Sequence, residues 1–467
     1  MRPPAATSAV PPHDAPFWND RFFLALVVAS LVCKLGLAVL AAGTEPVLDE
    51  KAFLGHAERL TAGTAWDNNF RPPLYVAFLS GVLTTGGSAD TARLVQALLA
   101  TLCLIPVYAL GRGIGGRGTA RIAAGIVAFD PVLTGFSHLL WSETLYLALL
   151  LPGMLLLVSD PAAERSGRWL GAGLLLGLAS LARPQLLTFA PLLVVWAAWN
   201  RTGNRRWIRG ALFLTLGWAL VVLPWSARNL HATGAFILVD TNGPYNVAVG
   251  ADPGARFVDK DDAWNVRWAG LEGEAYVPAA ARDPAAAQRA ALEQARARVQ
   301  AEPGAFALKS LWEAAHIFTL DDFIGRHLRN RWYGDAAPGW LTRAWPIVAA
   351  PFTAFLLLAG LVGLIAQPSS PYRRLATLAV LHTVLLFGLT YSLSRYTLPL
   401  RPLLAVAAAW LVSCAPAARE RLAGDRRRAL AAGLVGLALL AAWSRDLPLL
   451  SDMVGSEGRS HRFQFLR

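Results

Sequence analysis

The chain has 467 residues, of which 55% are hydrophobic and 16% charged, with 17 Trp and a formal net charge of +12. That composition excludes a soluble globular domain, and because the basic residues lie in short clusters between apolar runs, the charge marks membrane topology rather than a nucleic-acid-binding surface. Cys33, Cys103 and Cys414 all lie in or beside apolar runs, so neither a disulfide framework nor a thiolate metal site is indicated.

Residues 1–20 are rich in Pro and Ala and read as a disordered tail. The apolar run from Phe22 to Ala42 is too long for a signal-peptide core and lacks a small-residue cleavage site, so it is expected to stay as a membrane anchor. Further apolar runs cover 72–86, 92–111, 119–136, 141–158, 169–182, 184–199, 208–225, 342–366, 375–393, 396–415 and 429–443. The run at 72–86 is short for a span, opens on Pro72-Pro73 and closes on Thr84-Thr85-Gly86-Gly87, which suits a helix lying in the interface.

Charge decides its placement. With 72–86 on the outer side, the inner loops hold Arg112, Arg117 and Arg121; Arg165 and Arg168; Arg201, Arg205, Arg206 and Arg209; Arg373 and Arg374; and Arg419, Arg421 and Arg426 to Arg428. That is the positive-inside pattern, and it predicts an all-α polytopic bundle of about eleven transmembrane helices, with the N-terminus inside and the C-terminus outside. Two large outer segments result, 43–90 and 229–340. In the second, Asp283-Pro284 predicts a helix start, Pro303-Gly304 its stop, and a further helix covers Phe306 to Phe318.

Chemistry is expected at the outer helix ends. Asp49 and Glu50 directly follow the first span, and Asp49 reads either as the cap of a helix through Phe53, Ala57 and Leu60 or as a general base at the membrane surface. Glu143, in Leu140-Trp141-Ser142-Glu143, reads either as a functional carboxylate at a span end or as one that merely ends a helix. Arg71, Arg183, Arg228 and Arg395 all fall on the outer side, against the positive-inside bias. Each suits bidentate binding of a lipid phosphate or, more plainly, snorkelling or pairing with an acid. Asp259 to Asp262 and Asp321-Asp322 read as solvated acidic loops, Lys34 and His382 as groups satisfied within the bundle. Gly111 to Gly116 follows a span rather than a strand, so no dinucleotide fingerprint is indicated.

The order and spacing of Asp49-Glu50, Arg71-Pro72-Pro73-Leu74-Tyr75, Tyr108-Ala109-Leu110-Gly111-Arg112, Ser142-Glu143, Ala182-Arg183-Pro184, Pro224-Trp225 with Arg228-Asn229, and Ser394-Arg395-Tyr396-Thr397-Leu398-Pro399 resemble bacterial C-type integral-membrane glycosyltransferases. These are protein O-mannosyltransferase-like and include the aminoarabinose transferases of lipid A. The resemblance implies a seven-span membrane module at 21–228 with interfacial helices in its first outer loop, a large periplasmic loop at 229–340, a four-span region at 341–447 and an outer tail at 448–467. It also implies a multi-pass protein of the bacterial inner membrane that moves a sugar from a polyprenyl-phosphate donor to a lipid, glycan or protein acceptor on the outer face, with no metal or other cofactor. In that scheme Asp49 is the general base, Glu50 and Glu143 orient acceptor or sugar, and Arg71 and Arg395 hold the leaving phosphate. Tyr75, Arg183, Arg228 and Tyr396 complete the substrate-binding set. A transporter or flippase of lipid-linked saccharides would place its charges near the midplane, often in two repeated halves, which this chain does not show. A polysaccharide polymerase or ligase would share the donor and transfer a whole glycan.

Overall fold

A computed structural model describes residues 16–64, 66, 69–200, 205–252, 273–320, 323–329 and 337–447. The two acidic loop clusters, most of the N-terminal tail and the C-terminal tail lie outside them. Among the described residues every regular element is helical. Helix α1 (Arg21–Leu40) opens on Asp20, whose carboxylate accepts from the N–H groups of Phe22 and Phe23. Two short helices follow, α2 (Asp49–Thr61) and α3 (Pro73–Thr84), before α4 (Ala89–Leu102) starts from a capping box between Ser88 and Thr91. The Gly43 N–H donates to Asp90 at 3.2 Å, so the chain leaves α1 and enters α4 at the same end of the bundle. Helices α2 and α3 together therefore start and finish at one end of the bundle.

Next comes α5 (Leu104–Ala128), which is broken at Gly115 and Gly116. Gly116 sits at φ 77°, open to glycine at little cost, and the chain folds back until a Cβ on Gly111 would stand 3.0 Å from the Ala120 Cα. The glycine-rich stretch is thus the turn of a helical hairpin. Helices α6 (Pro131–Phe136), α7 (Glu143–Val158), α8 (Ser166–Ala182), α9 (Gln185–Trp199) and α10 (Arg206–Thr233) complete the first half. The large loop contributes α11 (Asn242–Gly250), α12 (Gly273–Arg282), α13 (Pro284–Ala301), α14 (Pro303–His316) and α15 (Phe323–Arg329), and Asp283 caps α13 through the Ala286 N–H. The chain ends in α16 (Gly339–Ala366), α17 (Pro371–Leu389), α18 (Arg401–Ser413), α19 (Ala415–Ala423) and α20 (Arg426–Trp443).

Five of the described helices, with α4 and α5 taken as one, are long and apolar enough to cross a membrane, or six if α18 and α19, bent by 90°, form one span. The expected number of about eleven is not reached by this measure. Helices α7, α8, α9 and α18 have 16, 17, 15 and 13 residues, short of the ~20 that a straight crossing of a ~30 Å core takes.

Polar contacts divide the bundle into two ends. At one, Asp20 binds Tyr108 and Arg121, Arg209 donates to the Ala163 carbonyl, Arg374 to Asn200, and Arg421 to the Ala366 carbonyl. The opposite end carries Asp49, Glu143, Arg183, Arg228 and Arg395 together with the large loop. Between them the ion pair of Arg401 with Asp130, 2.7 Å apart and buried on both sides, ties α18 to the start of α6, while Arg401 also donates to Thr353 on α16. Lys34 is satisfied inside the bundle by Ser30 and the Ala128 carbonyl, and His382 pairs with Thr188 at 2.8 Å.

Candidate active site

The site is assembled from segments far apart in sequence, all at the end opposite the arginine-rich loops. Helix α2 begins at Asp49, yet its Asp49 carboxylate caps nothing: Arg71 Nη2 donates to Oδ1 at 2.8 Å and Arg395 Nη1 donates to Oδ2 at 3.0 Å. Of the two readings open for Asp49, the helix cap is not the one formed. Leu48, just before it, holds φ 52°, a backbone region costly for a side chain bearing Cβ. The three side chains remain 24%, 22% and 16% exposed, so the clamp lies at a surface that solvent reaches. Burial pushes the Asp49 carboxyl up, but Arg71 and Arg395 together outweigh it and hold it well below the usual carboxylate range.

Each guanidinium is itself supported. Arg395 lies over the ring of buried Trp141, 4.5 Å from its centroid, and Arg71 lies over Phe53 at 5.1 Å. Arg395 leaves α17 through a 3-10 turn (Ser394–Thr397) and resists deprotonation beyond an ordinary arginine, since the Asp49 charge overcomes the cost of its burial.

Glu50 has a different task. It is buried, Oε2 accepts the Val47 N–H at 3.2 Å and Oε1 accepts the Leu140 N–H at 2.8 Å, with Arg93 3.9 Å away. Burial raises its carboxyl above the ordinary value against these partners. Tyr75 is fully buried beside it and donates to Gln96, which donates in turn to the Leu139 carbonyl. Glu50, Tyr75 and Gln96 therefore lock the 139–140 turn that presents Trp141 and Glu143.

Glu143 opens α7 and pairs with Arg183 at 2.7 Å, while Arg183 also donates to Ser142. A small cleft, with room for about one water, lies one turn further in, lined by Tyr146, Gln185, Phe189, His382, Phe387 and Leu403. Arg228 does not reach this group: it donates to Asn69 at 2.8 Å and to the Trp66 carbonyl at 2.9 Å, stitching α10 to the first outer loop. Tyr396 is buried and stacked on Phe387 at 4.0 Å, a packing position rather than an open one.

Sequence reasoning missed Asp240 and Arg93. Asp240 is buried, accepts the Asn242 N–H through Oδ1 at 3.2 Å, and among the described residues has no hydrogen-bond partner for Oδ2. Burial pushes its carboxyl up to about 7. Its neighbour Thr241 donates to the Asn69 carbonyl, two residues before Arg71. No motif announces such a pairing across more than 170 residues.

Residues 70–227 match the model of the family described as dolichyl-phosphate-mannose-protein mannosyltransferase. No curated protein matches the chain. Among solved structures it is similar to the apo oligosaccharyltransferase of Archaeoglobus fulgidus, with 15% identity over 95% of this chain and 57% of that one and a TM-score of 0.49. It is also similar to ArnT from Cupriavidus metallidurans bound to undecaprenyl phosphate, with 14% identity over 86% of this chain and 78% of that one and a TM-score of 0.34. The chain thus spans little more than half the length of the archaeal enzyme. The matched segment, about a third of the chain, carries Arg71, Glu143, Arg183 and the helices that frame them, so this part of the chain is similar to that mannosyltransferase family.

Proposed function

We propose that the chain transfers a sugar from a polyprenyl-phosphate-linked donor to an acceptor hydroxyl or phosphate at the outer face of a bacterial inner membrane. The observation that carries this is the clamp of Arg71 and Arg395 on Asp49, a solvent-reached carboxylate between two guanidinium groups. Asp49 takes the proton of the acceptor O–H, the acceptor oxygen bonds to the anomeric carbon, and the bond from that carbon to the phosphate oxygen breaks. The electron pair leaves with the lipid phosphate, whose charge grows by one, and Arg71 and Arg395 stabilise that charge.

A carboxylate held by two guanidiniums is a poor base. Donor phosphate competes for the same two arginines, and as they turn toward it Asp49 loses the interactions that keep its affinity for protons low. Donor binding therefore readies the base. Glu143 and Arg183 flank the sugar. Glu50, Tyr75 and Tyr396 support these groups from behind.

The test is transfer by the purified protein in nanodiscs, from radiolabelled polyprenyl-phosphate sugars to native membrane extract, wild type against Asp49→Asn. Label moving with the wild type, and at least a hundredfold more slowly with a folded variant, supports the enzyme and its base. Equal transfer by both removes Asp49 from the chemistry, and movement of intact donor across the bilayer without transfer replaces the enzyme with a transporter.

A further inference from the structure

Arg395 reaches Asp49 from a short 3-10 turn between α17 and α18. Helix α17 ends at Leu389, and Thr390 to Leu393 cross to the 3-10 turn as a strap. Its backbone is gripped by the large loop. Lys309, fully buried on α14, donates to the Gly250 carbonyl at 2.7 Å and to the Thr390 carbonyl. One turn along, buried Glu313 accepts both the Ser392 N–H at 2.7 Å and the Ser392 hydroxyl at 2.6 Å through Oε2. Gly250 lies so close that a Cβ there would meet the Thr390 Cα at 2.5 Å.

We propose that Lys309 and Glu313 are positioning residues that hold the 390–393 strap so that Arg395 faces Asp49, which makes the large outer loop part of the catalytic apparatus. Two buried charges of opposite sign, one turn apart, whose bonds converge on one short strap are costly unless the placement of that strap matters. A helix end and a packed apolar strap would secure the chain without them. The strap is three residues from the guanidinium, and a shift of about 1 Å in a group aimed at developing charge can cost about a hundredfold in rate. The proposal rests on the phosphate role given to Arg395 above, and its test separates the two.

Glu313→Met removes both bonds to Ser392, Glu313→Gln keeps one acceptor oxygen, and Ser392→Ala removes the hydroxyl's contacts with Glu313 and with His316 Nδ1 while leaving the backbone bond and the buried charges in place. Transfer kinetics and hydrogen exchange are measured in nanodiscs for each, in the wild-type and Arg395→Ala backgrounds. The expected result is that Glu313→Met lowers kcat tenfold or more with the donor KM changed less than threefold, and that Glu313→Gln recovers most of the loss. In the Arg395→Ala background the same substitution costs less than twofold, because the group it positions is gone. Exchange at 390–396 rises at least tenfold in Glu313→Met and less in Ser392→Ala. Unchanged exchange at the strap, or an equal loss of rate in both backgrounds, overturns the proposal. If Arg395→Ala alone transfers at the wild-type rate, the phosphate role of Arg395 fails, and the exchange result by itself decides whether the pair places the strap.

Discussion

Asp49 and Glu50 are adjacent carboxylates with opposite lives. One turns outward to two arginines, and the other turns inward to two backbone N–H groups. Glu50→Ala leaves the Val47 and Leu140 N–H groups without acceptors and is expected to cost about 1–3 kcal/mol, read as a lower melting temperature. Asp49→Asn is expected to leave that temperature nearly unchanged while transfer is lost. Asp240 tests burial instead of pairing. Its carboxyl is raised to about 7, so between its unfolded value near 3.8 and pH 7 the folded chain binds the extra proton. Stability from this group therefore falls as pH rises through that window and is level above it. Asp240→Asn is expected to raise the melting temperature at pH 8 over the wild type and to change it little at pH 4. An equal effect at both pH values would contradict the assignment.

At the scale of elements, the apolar runs and their arginine-rich flanks were readable because insertion energetics act locally on each segment. The contacts that give individual residues their work were not. Arg228 sits at an outer helix end like Arg183, yet it binds the loop at 66–69, 159 residues away for its contact with Asn69. The pair of Asp130 and Arg401 spans 271 residues and has no local signature at all. Helix α8 packs on α10 through glycines whose spacing passes unnoticed in a Leu- and Ala-rich run: a Cβ on Gly173 would stand 2.2 Å from the Leu214 carbonyl oxygen, and one on Gly217 2.4 Å from that of Leu170. Small residues allow this approach and the dispersion contacts it brings. Gly217→Val is expected to part the two helices and lower thermal stability by several degrees, with Arg183 displaced from Glu143 and transfer reduced; a variant as stable as the wild type would show that the helices can separate freely.

For the whole molecule, the charge reading and the contact pattern sort the same residues to the same two ends. Labelling checks it: with Cys33, Cys103 and Cys414 replaced by Ala, Ala62→Cys is expected to react with a membrane-impermeant maleimide in intact cells, and Ala423→Cys only after lysis. Labelling of both in intact cells would reverse the assignment of α3 and every helix after it.

The clamp also has a history in time. Its members enter the membrane in the order 49, 71 and 395, so a ribosome that has delivered the first two still holds the third, together with the strap that aims it. On the reading proposed above, competence waits for the segment that carries Arg395, and products truncated before it lack the second guanidinium of the clamp.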